Sequence, residues 1–246
     1  MRESDELPDD KDVLQGRDAA RRLARGLFVA GYHGTELPDS IAEGLATGLA
    51  GVILFRRNLA FAAGVEPESV DVVTLTRHTS SVQVAADRDP WRPGPAICSV
   101  DQEGGPVQRL RAPFTPMPAM RVIGDRRDVT LAWRVGRQLG RECRAAGFNV
   151  DWAPVLDVDT NPDNPIIGQR AFGTTPDVVA EAAGALLDGL QSTGVLGCGK
   201  HFPGHGDTVA DSHLELPVVA HEPARLQAVE LAPFRALADR LWMVMT

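Results

Sequence analysis

Six short apolar runs punctuate the chain: GLFVAGY (26–32), GVILF (51–55), AICSVD (96–101), FNVDWAPVLDV (148–158), GVLGCGKHF (194–202) and LWMVMT (241–246). Each is nearly continuous in apolar character and bounded by glycine, proline or charge. A strand with one face in water alternates apolar and polar residues; a strand covered on both faces does not. The six runs therefore predict strands of a parallel sheet buried on both sides.

The segments between them carry helical periodicity. In 128–147, Leu131, Val135, Leu139 and Cys143 recur at intervals of four with arginines between, and Gly147 follows in the place of a C′ cap. Residues 176–193 are introduced by Thr175-Pro176-Asp177, a start signal, because proline in the first turn gives up only an N–H that has no helical partner. Residues 223–240 open on Pro223, and Pro233 within them predicts a break. A looser period runs through 68–86, with Val70, Val73, Leu75, Val82 and Val84. Strand and helix alternate, the pattern of repeated β-α units.

Such units build either an open doubly wound sheet or a closed barrel, and the polar residues decide between them. Asp101-Gln102-Glu103, Asp157-Val158-Asp159 and Lys200-His201 each fall at the C-terminal end of a predicted strand. A barrel gathers such ends into one ring of active-site loops. The GYHGTE that ends the first run (31–36) lacks the G-x-G-x-x-G spacing of a dinucleotide fold. The expected fold is therefore α/β, a (β/α)8 TIM-type barrel of which six β-α units are present. Residues 1–16 are expected to form a flexible polar N-terminal tail, and 17–246 the N-terminal three-quarters of the barrel domain. Closure would take two further units of roughly 30 residues each, and a six-stranded remnant would expose sheet edges.

Composition narrows the function classes. The length of 246 residues suits one barrel, and 43% hydrophobic with 24% charged residues is ordinary for a soluble domain. A formal net charge of −8, with basic pairs such as those at 21–22 and 126–127 isolated from one another, argues against a nucleic-acid or anionic-membrane partner. No run approaches 18 apolar residues and no basic-then-apolar leader opens the chain, so a cytoplasmic location is expected. Cys98, Cys143 and Cys198 form no C-x-x-C pair and are expected as small buried residues in a reducing compartment.

The chemistry concentrates in KHFPGHGDTVADSH (200–213). His201 and His205 stand four apart, as zinc ligands on one helical face do, but Pro203-Gly204 between them argues against a regular helix. No metal and no cofactor is expected. In Asp211-Ser212-His213 an extended backbone puts residues i and i+2 on one side. The Asp211 carboxylate can then orient the His213 imidazole and favour its protonated form, leaving the other ring nitrogen to exchange a proton near neutral pH.

Three segments in order, SVDQEGGPVQRL (99–110), FNVDWAPVLDVDTNPDNPIIGQRAFG (148–173) and Lys-His-Phe-Pro-Gly-His-Gly, four residues, then Asp-Ser-His, resemble the signatures of the NagZ-type β-N-acetylglucosaminidases (β-hexosaminidases) of glycoside hydrolase family 3. The resemblance runs from about residue 20 to the end of the chain. It implies a retaining glycosidase that removes terminal β-linked N-acetylglucosamine from cell-wall muropeptides or related glycosides, monomeric when complete. By it, Asp101, Arg109, Arg170, Lys200 and His201 bind the sugar hydroxyls, His213 is the general acid/base and Asp211 its partner. His205 and Asp207 would shape the loop, and Glu103 is given no chemical role. The family's nucleophile is an aspartate after the seventh strand. No residue here matches it, and Asp157 and Asp159 on the fourth strand are in the wrong place. The chain as it stands is therefore expected to be inactive or nearly so. The alternatives are a phosphorylase of the same fold, in which phosphate replaces water, and a non-catalytic sugar-binding remnant or a subunit completed by a partner.

Overall fold

The computed structural model describes residues 10–64, 68–209 and 218–246. Its strands are β1 (Val29–Ala30), β2 (Gly51–Leu54), β3 (Ile97–Val100), β4 (Gln102–Gly104), β5 (Val107–Gln108), β6 (Val150–Asp151), β7 (Leu196–Lys200) and β8 (Met243–Met245). Six of them form one parallel sheet in chain order, β1-β2-β3-β6-β7-β8, and each lies inside one of the six apolar runs. A doubly wound sheet reverses its strand order; this one does not, and its strands are successive staves of a partial (β/α)8 barrel. The remaining two strands, β4 and β5, pair antiparallel in a small hairpin directly after β3.

The helices are α1 (Asp10–Arg25), α2 (Asp39–Ala46), α3 (Val72–Ala86), α4 (Met120–Asp125), α5 (Val129–Ala145), α6 (Pro176–Gln191), α7 (Pro223–Ala228) and α8 (Ala232–Ala236). None is long and apolar enough to cross a membrane. The break expected at Pro233 falls between α7 and α8, with the proline in the first turn of α8, where its missing N–H costs nothing. Asp71 caps α3 by accepting from the Val73 and Thr74 amides, and Asp128 caps α5 by accepting from Leu131. Gly147, past the end of α5, takes a φ of 89°, as the C′ position requires.

Two segments differ in detail from their sequence reading. The polar tail expected through residue 16 instead enters α1 at Asp10, and residues 1–9 lie outside the described residues. Acidic and basic residues mixed along a segment hide its helical character, and the tie that holds this helix is distant in sequence: Arg22 pairs with the buried carboxylate of Asp89. In α3, Val73 and Val84 are exposed, while Leu75, His78, Thr79 and Val82 face the core. The looseness of the apolar period there reflects two polar residues on the inward face, each bonded across the fold. The Thr79 hydroxyl donates to the Ala146 carbonyl at 2.8 Å, and His78 Nε2 lies 2.6 Å from the Tyr32 hydroxyl.

Helices α5 and α6 pack backbone to backbone. A methyl group on Gly136 would stand 2.0 Å from the Leu186 carbonyl oxygen, and one on Gly189 2.0 Å from that of Trp133. The three cysteines are buried free thiols, and burial pushes Cys98 and Cys198 up to about 12, leaving neutral core residues.

Candidate active site

The C-terminal ends of the strands bring the predicted residues together. Asp101 follows β3, Glu103 stands in the β4–β5 hairpin, Asp157 follows the β6 segment, a short 3-10 turn over Gly168–Arg170 supplies Arg170, and Lys200 ends β7 with His201 next. A bridge between Val155 and Lys200, with the Leu156 amide donating to the Lys200 carbonyl at 2.6 Å, carries the Asp157 segment alongside β7.

Lys200 and Glu103 are the hub. The Lys200 ammonium lies 2.5 Å from Glu103 Oε1 and 3.1 Å from Asp101 Oδ1, with the Lys200 and Glu103 side chains only 3% and 2% exposed. Glu103 also receives a two-point contact from Arg170, Nε to Oε2 at 2.9 Å and Nη2 to Oε1 at 2.8 Å. Such a fork fixes the plane of the guanidinium as well as its position. Burial opposes ionisation of Glu103, but the hydrogen bonds and charges of Arg170 and Lys200 outweigh it and hold the carboxyl below the usual carboxylate range. Burial likewise disfavours the Arg170 cation, and Glu103 reverses that, so the guanidinium pKa is raised.

His201 is oriented by a second carboxylate. Its Nδ1 lies 2.7 Å from Asp157 Oδ2, and its backbone amide donates to the same carboxylate. Arg170 Nη2 approaches His201 Nε2 at 3.4 Å. A guanidinium can only donate, so Nε2 is the acceptor and the ring proton sits on Nδ1, facing Asp157. Asp157 is wholly buried and also accepts from the His205 amide at 2.6 Å. Asp101, Arg170 and His201 keep partial exposure at the rim, as does Arg109, 4.0 Å from Asp101. The result is a ring end where carboxylate acceptors alternate with N–H donors of fixed direction. That arrangement can read the hydroxyls of a sugar and leaves a charged pair beneath them.

Asp101, Arg109, Arg170, Lys200 and His201 are thus one constellation. Asp211 and His213 lie outside the described residues. His205 is buried, with its ring Nδ1 2.5 Å from the Thr208 hydroxyl and its carbonyl accepting from Asn164, so it shapes the loop. Asp207 accepts from the Thr160 hydroxyl at 2.6 Å and pairs with His221 at 2.5 Å. Burial works against its ionisation, yet these two bonds outweigh burial and lower its pKa.

Sequence reasoning passed over Glu103 and the tie between Asp157 and His201. For Glu103 a signal existed. It is two residues from Asp101 in an extended segment, and a site gathering Lys200, Arg109 and Arg170 needs more negative charge than Asp101 supplies. A cavity of about 650 Å³ lies elsewhere, beside β8, between Phe202, Leu231, Phe234, Leu241 and Val244. Its lining is mainly apolar and includes none of the charged groups of the strand-end site.

Comparison with known proteins agrees with this geometry. Residues 36–246 match the glycosyl hydrolase family 3 N terminal domain. A β-hexosaminidase of Nitrosomonas eutropha is 39% identical over 213 residues, covering 84% of this chain and 56% of the relative; one of Neisseria meningitidis is 37% identical over 224 residues, 88% of this chain and 57% of the relative. The chain thus spans a little over half the length of these curated relatives. A family 3 β-N-acetylglucosaminidase from Paenibacillus sp. superposes with a TM-score of 0.81 at 39% identity, over 90% of this chain and 40% of the other. NagZ from Neisseria gonorrhoeae in complex with N-trifluoroacetyl-D-glucosamine superposes at 0.77 with 35% identity, over 88% and 62%. The chain belongs to glycoside hydrolase family 3, whose N-terminal domain it matches over residues 36–246.

Proposed function

We propose that this chain is the sugar-binding part of a β-N-acetylglucosaminidase that acts on a terminal β-linked N-acetylglucosamine of cell-wall muropeptides in the cytoplasm. The observation that carries the reading is the constellation around the Lys200–Glu103 pair. Five polar side chains converge there, Asp101 after β3, Arg109 after β5, Arg170 from the 3-10 turn, and Lys200 and His201 at the end of β7. In this reading Asp101 accepts from sugar hydroxyls, Arg109 and Arg170 donate to them, and His201 offers Nε2. The N-acetylglucosamine analogue bound by the Neisseria gonorrhoeae relative supports the choice of sugar.

Asp211 and His213 form the acid/base pair. His213 gives its proton to the leaving glycosidic oxygen as a carboxylate displaces it at the anomeric carbon. It then takes a proton from the water that releases the glycosyl group. Asp211 holds the imidazole in position and stabilises its cation. The attacking carboxylate is assigned to no residue of 1–246.

Calorimetric titration of the chain with N-acetylglucosamine is the test. Binding is expected. Arg170→Ala is expected to weaken it by about 10- to 100-fold, the worth of a hydrogen bond to a charged group. Absence of binding, or wild-type affinity in Arg170→Ala, would overturn the proposal.

A further inference from the structure

Two buried residues that touch neither Lys200 nor Arg170 form a relay behind the site. Asp151 ends β6 with no exposed surface, and its Oδ1 accepts from the Gln102 backbone amide at 2.9 Å. Gln102, equally buried, lies between Asp101 and Glu103. Its side-chain Oε1 accepts from the amides of Arg109 and Leu110, at 2.8 and 2.9 Å, and its Nε2 donates to the Leu110 carbonyl at 3.3 Å. One uninterrupted path therefore runs from the β6 carboxyl through the β3–β4 junction to the backbone that carries Arg109.

We infer that Asp151 and Gln102 are positioning residues of the sugar site, with Asp151 acting as a neutral carboxylic acid that pins the backbone between Asp101 and Glu103, and Gln102 passing that constraint to Arg109. This rests on the sugar-binding reading above. Because residue 102 faces away from 101 and 103 in an extended segment, pinning its amide aims both neighbouring carboxyl groups toward the strand ends. Gln102 then does for Arg109 what no side chain at the rim does, since the Asp101–Arg109 contact is long at 4.0 Å. The neutral state of Asp151 follows from its surroundings. Its Oδ2 has no partner among the described residues, and no cation pairs with it. Burial raises its pKa well above the usual range; the Gln102 amide and Lys200 oppose this without offsetting it, and the carboxylates of Asp101 and Glu103 add smaller raising effects.

The sign of the pH effect is fixed by this. Above a pH of about 4 the unfolded chain releases the Asp151 proton while the folded chain keeps it, so the contribution of this group to folding stability falls as pH rises. Asp151→Asn, which mimics the neutral acid, removes that slope.

The experiment is amide hydrogen exchange by NMR combined with N-acetylglucosamine titration, on the wild-type chain, Asp151→Asn and Gln102→Met. Asp151→Asn is expected to keep the Gln102 amide protected, to keep affinity within about twofold, and to melt higher relative to wild type as pH is raised from about 5 to 8. Gln102→Met is expected to lose protection at Arg109 and Leu110 and to weaken binding about tenfold. Gln102→Asn, one methylene too short to reach those amides, serves in the same way if Gln102→Met does not fold. Unchanged protection at Arg109 and Leu110 overturns the relay alone. Lost protection with unchanged affinity overturns its positioning role. A tenfold loss of affinity in Asp151→Asn overturns the neutral acid. A wild-type chain that binds no sugar overturns the functional reading, and with it this one.

Discussion

Glu103 meets the Lys200 ammonium at 2.5 Å with both side chains almost wholly buried, and the same carboxylate takes the fork of Arg170. One carboxylate thus neutralises two cations that a sugar-binding surface would otherwise have to keep apart. Among the described residues, removing its charge leaves Arg170 with no carboxylate partner and Lys200 with Asp101 alone. Glu103→Gln is expected to destabilise the fold by about 3 kcal/mol, the usual cost of breaking a buried pair. Urea unfolding measures this, and a loss under about 1 kcal/mol would show that the cations are satisfied by other means.

His78 sets a separate pH limit. Burial holds its pKa below the ordinary value of 6.5, so the folded chain keeps it neutral against the Tyr32 hydroxyl. Below that value the unfolded chain takes up a proton that the folded chain refuses, and stability falls as pH falls. Comparing thermal melts of wild type and His78→Gln between about pH 8 and 5 isolates this contribution: the variant should gain on wild type as pH falls.

The α5–α6 contact depends on the absence of side chains. Gly136→Ala puts a methyl 2.0 Å from the Leu186 oxygen, which is backbone and cannot rotate aside. A loss of about 1–3 kcal/mol is expected from such overpacking. Gly16 in α1 has nothing within 4 Å of its would-be methyl, and Gly16→Ala should gain about 0.5–1 kcal/mol from helix propensity. Equal effects at the two positions would contradict the packing described.

Much of this arrangement was legible in the chain. The six strands were readable because burial on both faces leaves continuous apolar runs, and α5 because Leu131, Val135, Leu139 and Cys143 mark one face. The hairpin β4–β5 was not. Its residues, Gln102 to Gln108, are polar or glycine except for Pro106 and Val107, and show no hydrophobic period; Gln102 is tied instead to Asp151 and, across the hairpin, to Gln108. Helix α2 was missed for a different reason: only eight residues long, it offers too few turns for a period to emerge. In the site, Asp101, Arg109, Arg170, Lys200 and His201 were reached through the resemblance and stand together in space. Glu103 and Asp157 act on other side chains, and such roles depend on contacts across the fold that spacing along the chain does not encode.

The most direct measurement is chemical-shift mapping of the isotope-labelled chain during titration with N-acetylglucosamine. The expected result is saturable shifts concentrated at Asp101, Glu103, Arg109, Arg170, Lys200 and His201, absent with a sugar that lacks the N-acetyl group at equal concentration. Shifts clustered instead around Phe202, Phe234 and Val244, or none at all, would contradict the strand-end site.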